Sequence, residues 1–188
     1  MRKLIYSITV SLDGFIAGPD GAIDWSVPDQ DLFRFHHQQV QEIGVHLCGR
    51  RLYETMVYWE TAEEGPLPAE QVEFARTWKA LPKVVFSTTL QSVVGNTRLA
   101  TDSVGEEVSR LKKQPGKDIA VGGAGLARAC MKLGLIDEWR LFLSPVLLGG
   151  GTPYFPTLDE QINLELVETK TFDSRVVYLR YVRMPDDL

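Results

Sequence analysis

Asp118-Ile119-Ala120-Val121-Gly122-Gly123-Ala124-Gly125 decides the fold class, because the apolar residues of a buried strand run straight into a glycine turn that opens a helix. Leu126, Cys130 and Leu133 then recur on the core side of that helix. The same order repeats upstream. Residues 3–10 (KLIYSITV) read as a first strand and feed a glycine-studded loop from Leu12 to Gly21. A helix is predicted over 29–43, with Leu32, Phe35, Gln39, Val40 and Ile43 on one face. Val45-His46-Leu47-Cys48 reads as a strand, followed by Gly49-Arg50-Arg51 and a short helix carrying Leu52, Tyr53 and Met56. Pro66 and Pro68 mark a loop before a helix from Glu70 to Ala80, and Lys83 to Ser87 is a central strand. Residues 96–101 add a short strand, and Val104, Val108 and Leu111 a helix that Pro115-Gly116 ends. Strands alternating with helices predict a largely parallel sheet with right-handed crossovers.

The last third changes character. Trp139 to Leu148 reads as one long strand, and Asn163 to Thr171 with Arg175 to Arg183 as two strands about Phe172-Asp173-Ser174, so the sheet should carry an antiparallel C-terminal hairpin. With no repeat or linker, residues 1–188 read as a single α/β domain. If the apolar run Leu141 to Leu148 lies at a sheet edge, it could pair two copies into a homodimer.

Composition bounds the function. The 188 residues carry 20 Lys+Arg against 25 Asp+Glu, a net charge of −5, and no basic run longer than two, which leaves no cationic face for nucleic acid. No apolar span reaches the ~18 residues of a membrane helix and no signal peptide is evident, so a cytoplasmic protein is expected. Cys48 and Cys130 read as buried thiols, and His36, His37 and His46 form no ligand pattern, so no metal is expected. The expected partner is a small molecule.

In an open parallel sheet, ligands bind beyond the carboxyl ends of the strands. Gly122-Gly123-Ala124-Gly125 is either a phosphate turn at a helix N-terminus or a tight packing turn. Arg50 and Arg51 stand at another helix start, where cations oppose the helix dipole, and they are either solvated or hold an anion. Together with Ser87-Thr88-Thr89 they suggest a site for an adenosine 2′-phosphate, which favours NADPH over NADH. Among the acids near the first loop, Asp20 reads as turn chemistry and Asp29 as a helix cap. That leaves Asp13 and Asp31 as candidate catalytic acids, in a pocket that Trp25, Phe15 and Tyr53 could wall. Core packing is the competing role for those aromatics.

Taken together, these segments resemble the dihydrofolate reductase-like superfamily, in the branch related to the reductase domain of the riboflavin-biosynthesis deaminase/reductase. The matching stretches are Ser11-Leu12-Asp13-Gly14-Phe15-Ile16-Ala17 with Ile23-Asp24-Trp25, Gly49-Arg50-Arg51-Leu52-Tyr53-Glu54, Val85 to Leu90, Val121 to Leu126, and Leu143 to Gly151, in family order over residues 3–182. The resemblance implies a three-layer fold and an NADPH-dependent reductase. It implies cofactor contacts at Ala17 and Gly18 beside the nicotinamide, at Gly49, Arg50, Arg51 and Leu52 for the phosphates, and at Ser87 and Thr88 near the adenosine. Gly122, Gly123, Ala124, Gly125 and Leu126 match its pyrophosphate turn. Trp25-Ser26-Val27-Pro28 resembles the stretch before the family's helix acid, which selects Asp31, or Asp29 with a small shift of alignment. Phe15 offers no charge to a phosphosugar. The chain opens on the first strand of the reductase, so no upstream deaminase module is expected. The leading expectation is an oxidoreductase acting on a flat nitrogen heterocycle of pterin or aminopyrimidine type. The alternatives are a nucleotide-binding module with little or no turnover, and a purely structural dimer.

Overall fold

The computed structural model describes residues 1–62, 67–158 and 160–185; Pro66 of the predicted loop lies outside the described residues. From the N-terminus come β1 (Leu4–Ser11), β2 (Phe15–Ala17), α1 (Gln30–Gln41), β3 (Ile43–Gly49), α2 (Arg50–Thr61), α3 (Ala69–Ala80), β4 (Lys83–Phe86) and β5 (Thr97–Leu99). They are followed by α4 (Val104–Lys113), β6 (Asp118–Gly122), α5 (Ala124–Lys132), β7 (Glu138–Ser144), β8 (Thr152–Pro153), β9 (Leu164–Thr171) and β10 (Val177–Arg183). Asp29 caps α1, its side chain accepting from the Leu32 amide at 2.8 Å, which contributes about 1 kcal/mol.

Eight strands make one sheet in the order β5-β4-β3-β6-β1-β7-β10-β9. The strands from β5 to β7 are mutually parallel, while β10 runs antiparallel to both β7 and β9. The parallel sheet with an antiparallel C-terminal hairpin is therefore as the sequence predicts. The chain first steps outward from β3 to β5, then returns to insert β6 between β3 and β1 before moving on to β7. That reversal makes a topological switch point at the carboxyl ends of β3, β6 and β1.

Side-chain alternation along the strands divides the core into two layers. Leu4, Tyr6, Ile119, Val121 and Trp139 pack under α4 and α5, together with Val108, Leu126 and Cys130. On the opposite face Ile5, Ile43 and Ala120 meet Phe74 and Trp78 of α3, with Phe33 and Val40 of α1 beside them. Helix α1 thus straddles two clusters, since its Leu32 and Phe35 pack instead on Phe142, Phe172 and Tyr178. Each fully buried aliphatic or aromatic side chain here contributes roughly 1.5–3 kcal/mol. Cys48 and Cys130 are free and buried.

Two sequence expectations need correction. The long strand over 139–148 stops at Ser144, because Pro145 follows and the Val146 amide turns back to the Ser144 carbonyl at 2.8 Å. The run Leu141 to Leu148 therefore cannot pair two copies through a sheet edge, since β7 is held between β1 and β10. The outermost strands are β5 and β9. Charge sits inside this sheet as well. Glu138, 1% exposed, accepts from Arg140 Nε at 2.6 Å and Lys3 Nζ at 3.2 Å, and pairs with Arg180 Nε at 3.2 Å.

Candidate active site

Two glycine turns meet at the switch point. Gly49 ends β3 and starts α2, and Gly123 links β6 to α5. Gly123 holds φ +94°, and a Cβ there would lie 3.3 Å from both Gly49 N and Gly49 Cα. Neither helix has a side-chain cap or an acidic residue in its first turn. Each forgoes the ~1 kcal/mol of a cap and leaves bare amides at a positive dipole end, the chemistry that receives a phosphate.

Arg50 and Arg51 stand exposed at the start of α2. Arg50 donates to Glu54 at 2.7 Å and to Thr89 at 2.8 Å, whereas Arg51 has no side-chain partner among the described residues. A groove of about 480 Å³ runs past Arg50, Phe86, Ser87, Thr88 and Thr89 to Asp102. Ser87 also closes the turn after β4, accepting from the Thr89 and Leu90 amides at 3.2 and 3.1 Å. Gly49 to Leu52, Ser87, Thr88 and Gly122 to Leu126 thus gather at one end of three strands, although Leu126 itself is core.

Asp13 is committed elsewhere. Its carboxylate accepts from Ser11 Oγ at 2.6 Å, from the Leu148 amide at 3.0 Å and from the Gly149 amide at 2.7 Å. The Ser11 bond, with those two amides, holds its carboxyl below the usual range. It is an anion that ties the first loop to the Gly149-Gly150-Gly151 loop and has no proton to give at neutral pH. At Gly151, φ +130°, a Cβ would overlap the Ala17 carbonyl, so Ala17 and Gly18 are pressed directly on that loop. The β2–β8 pairing of Phe15 with Pro153 completes the junction.

An apolar cavity of about 370 Å³ lies between the sheet and helices α1, α2 and α3. Ser7 and Thr9 of β1 and Arg140 of β7 form part of its floor, while Phe33, His36, Gln39 and Val40 of α1 make one wall. Leu52, Met56 and Trp59 of α2 face Phe74 and Trp78 of α3. Leu52 also abuts Gly122, whose Cβ would strike it, so the cavity and the glycine turns share a wall. Burial pushes His36 and His46 down to about 4, so both are neutral at pH 7.

The residues expected to hold an acceptor do not meet in this cavity. Asp31 is exposed and, among the described residues, makes no side-chain hydrogen bond or ion pair; it precedes Phe33 by two positions, about 200° around a helix, and so points away. Asp29 is used as the cap of α1. Trp25 borders a separate recess with Leu32, Pro145 and Val176. Tyr53 is buried beside Cys48 and Val85, its hydroxyl accepting from the Val94 amide at 2.9 Å. Sequence reading missed His36, Gln39, Trp59 and Arg140. A charged pair, Glu138 and Arg140, inside a central strand was the available signal.

Residues 2–178 match the RibD C-terminal domain family. The chain is 38% identical over 185 residues to the uncharacterized protein YyaP of Bacillus subtilis (strain 168), covering 96% of this chain and 94% of that protein. Among solved structures it resembles dihydrofolate reductase from Enterococcus faecalis complexed with NADP(H), with TM-score 0.64, 20% identity and 96% of each chain covered. It also resembles a diaminohydroxyphosphoribosylaminopyrimidine deaminase/5-amino-6-(5-phosphoribosylamino)uracil reductase from Thermotoga maritima, with TM-score 0.66, 15% identity, 97% of this chain and 57% of that one. These two likenesses show the dihydrofolate reductase-like fold, and the match over nearly the whole length places the chain in the RibD C-terminal domain family.

Proposed function

We propose that the protein is an NADPH-dependent reductase of a small nitrogen heterocycle of pterin or aminopyrimidine type. The observation that carries this reading is the pair of abutting glycine turns, Gly49 against Gly123, which brings two uncapped helix N-termini together at the switch point. Their amides, with Arg51 beside them and without a side-chain partner among the described residues, suit a dinucleotide's phosphates. A reduced nicotinamide supplies the hydride in such a reaction. The chain's own part is to bind, orient and keep water away. The junction of Ala17-Gly18 with Gly151, fixed by Asp13, offers a bare-backbone surface at the carboxyl end of β1. The adjacent cavity under α1 to α3 is walled by rings that exclude water, and its neutral His36 and its Ser7 and Thr9 hydroxyls can hydrogen-bond a heterocycle's edge. Among the described residues no carboxylate lines this cavity, which leaves water rather than Asp31 to deliver the proton. That the fold comes from a family with solved reductase relatives supports the same reading.

Replacing Arg50 and Arg51 together by Ala is expected to weaken NADPH at least about tenfold and NADH only about twofold, since only NADPH carries the extra phosphate. Equal losses in paired calorimetric titrations would remove the 2′-phosphate from this end of the site. Asp31→Asn is expected to leave NADPH oxidation with a dihydropterin within about twofold of wild type, as for other surface substitutions. A tenfold fall would return Asp31 to the reaction.

A further inference from the structure

The charge arrangement around the cavity bears on which acceptors can enter, an inference that rests on the reductase reading above. We propose that this cavity takes an uncharged aromatic heterocycle and rejects one that carries a phosphate or carboxylate, such as a phosphoribosyl-bearing pyrimidine. Four aromatic rings, Phe33, Trp59, Phe74 and Trp78, stand in the apolar wall. Among the described lining residues Arg140 is the single Lys or Arg, and no Asp or Glu is present.

The charge of Arg140 is already matched. Its Nε donates to Glu138 at 2.6 Å, and its Nη1 donates to Gln39 and reaches Glu42 at 3.3 Å. Glu138 is shared with Lys3 and Arg180, and Arg180 also pairs with Glu168. The network therefore holds three cations, Lys3, Arg140 and Arg180, against three carboxylates, Glu42, Glu138 and Glu168. An anion entering the cavity gives up its hydration and finds no net positive charge in return. Neutral hydrogen-bonding groups, by contrast, are available. Ser7 and Thr9 face the cavity and have no side-chain partners among the described residues. Such hydroxyls suit the carbonyl and ring nitrogens of an uncharged heterocycle.

The test is calorimetric titration of the NADPH-saturated protein with 6-methylpterin and 6-carboxypterin, which differ by one negative charge at one position. The neutral pterin is expected to bind at least about tenfold more tightly. Glu42→Gln removes one carboxylate from the network at a side chain that is 62% exposed, so the fold is retained. It is expected to raise the affinity for 6-carboxypterin about two- to fivefold and to leave 6-methylpterin unchanged. Equal or tighter binding of 6-carboxypterin by the wild-type protein would overturn the proposal. So would binding of neither pterin while NADPH still binds. If NADPH itself fails to bind, the reductase reading falls; the same pair titrated into the apoprotein then decides the cavity separately, a preference for 6-methylpterin upholding its assignment and the reverse or no binding overturning it.

Discussion

Gly123→Val is expected to lower NADPH affinity at least about a hundredfold, the larger part through the left-handed backbone that a β-branched residue resists by more than about 1–2 kcal/mol. Gly123 stands at φ +94°, and its Cβ would press on the Gly49 backbone at 3.3 Å. To relieve that contact, the turn after β6 must move away from the turn after β3. The two helix N-termini then part, and the amides no longer converge. A useful control is Gly105→Ala in α4, where the nearest atom to a new Cβ is 3.9 Å away and alanine favours the helix. That variant should bind NADPH as the wild type does. Titration of both variants, with a melting curve to establish folding, checks the claim; a folded Gly123→Val protein that binds within threefold of wild type would contradict it.

Glu138→Ala is expected to be among the most destabilising substitutions outside the aromatic core. Burial by itself would raise the pKa of this carboxyl, yet Arg140, Arg180 and Lys3 together hold it below 4.5. Truncation leaves Arg140, only 5% exposed, facing Gln39 and the outlying Glu42. Removing one partner of such a buried pair costs about 3–5 kcal/mol. For a chain of this size that lowers the melting temperature on the order of 10 °C. The pH dependence has a definite sign. Because the folded pKa is depressed, the carboxylate stabilises the fold above its unfolded value near 4.5, and that stability is lost as pH falls through the lower folded value. Melting temperatures of wild type and variant should therefore converge as pH falls through that depressed folded value and differ most near neutrality. A difference under 2 °C at pH 7 would show that the network contributes little.

The sheet was legible because its signals are local. The run Asp118 to Gly125 carries the strand, the turn and the helix start within eight residues, and the same alternation recurs around Gly49. The glycine turns and Arg50-Arg51 were also legible as positions, since a strand-to-helix junction fixes which end of the sheet they occupy. The acceptor cavity was not. Its walls come from β1, β7, α1, α2 and α3, and only the strand order brings β7 beside β1 and three helices over one face. Of the face read from the sequence, Gln39, Val40 and Ile43 line the cavity beside Phe33 and His36, while Leu32 and Phe35 pack instead on Phe142 and Tyr178. Asp31 came from the resemblance, by aligning Leu32 and Phe35 with the family's helix, and its side chain is exposed here. The bonds that Asp13 accepts from the Leu148 and Gly149 amides were not legible, because those partners lie more than a hundred residues away in sequence.

Whether the paired turns receive a phosphorylated dinucleotide is decided by calorimetric titration of the wild-type protein with NADPH and, separately, NADH. One-to-one binding is expected, with NADPH favoured at least about tenfold, in keeping with a charge-assisted arginine contact to the extra phosphate. Absence of binding by either dinucleotide would contradict it.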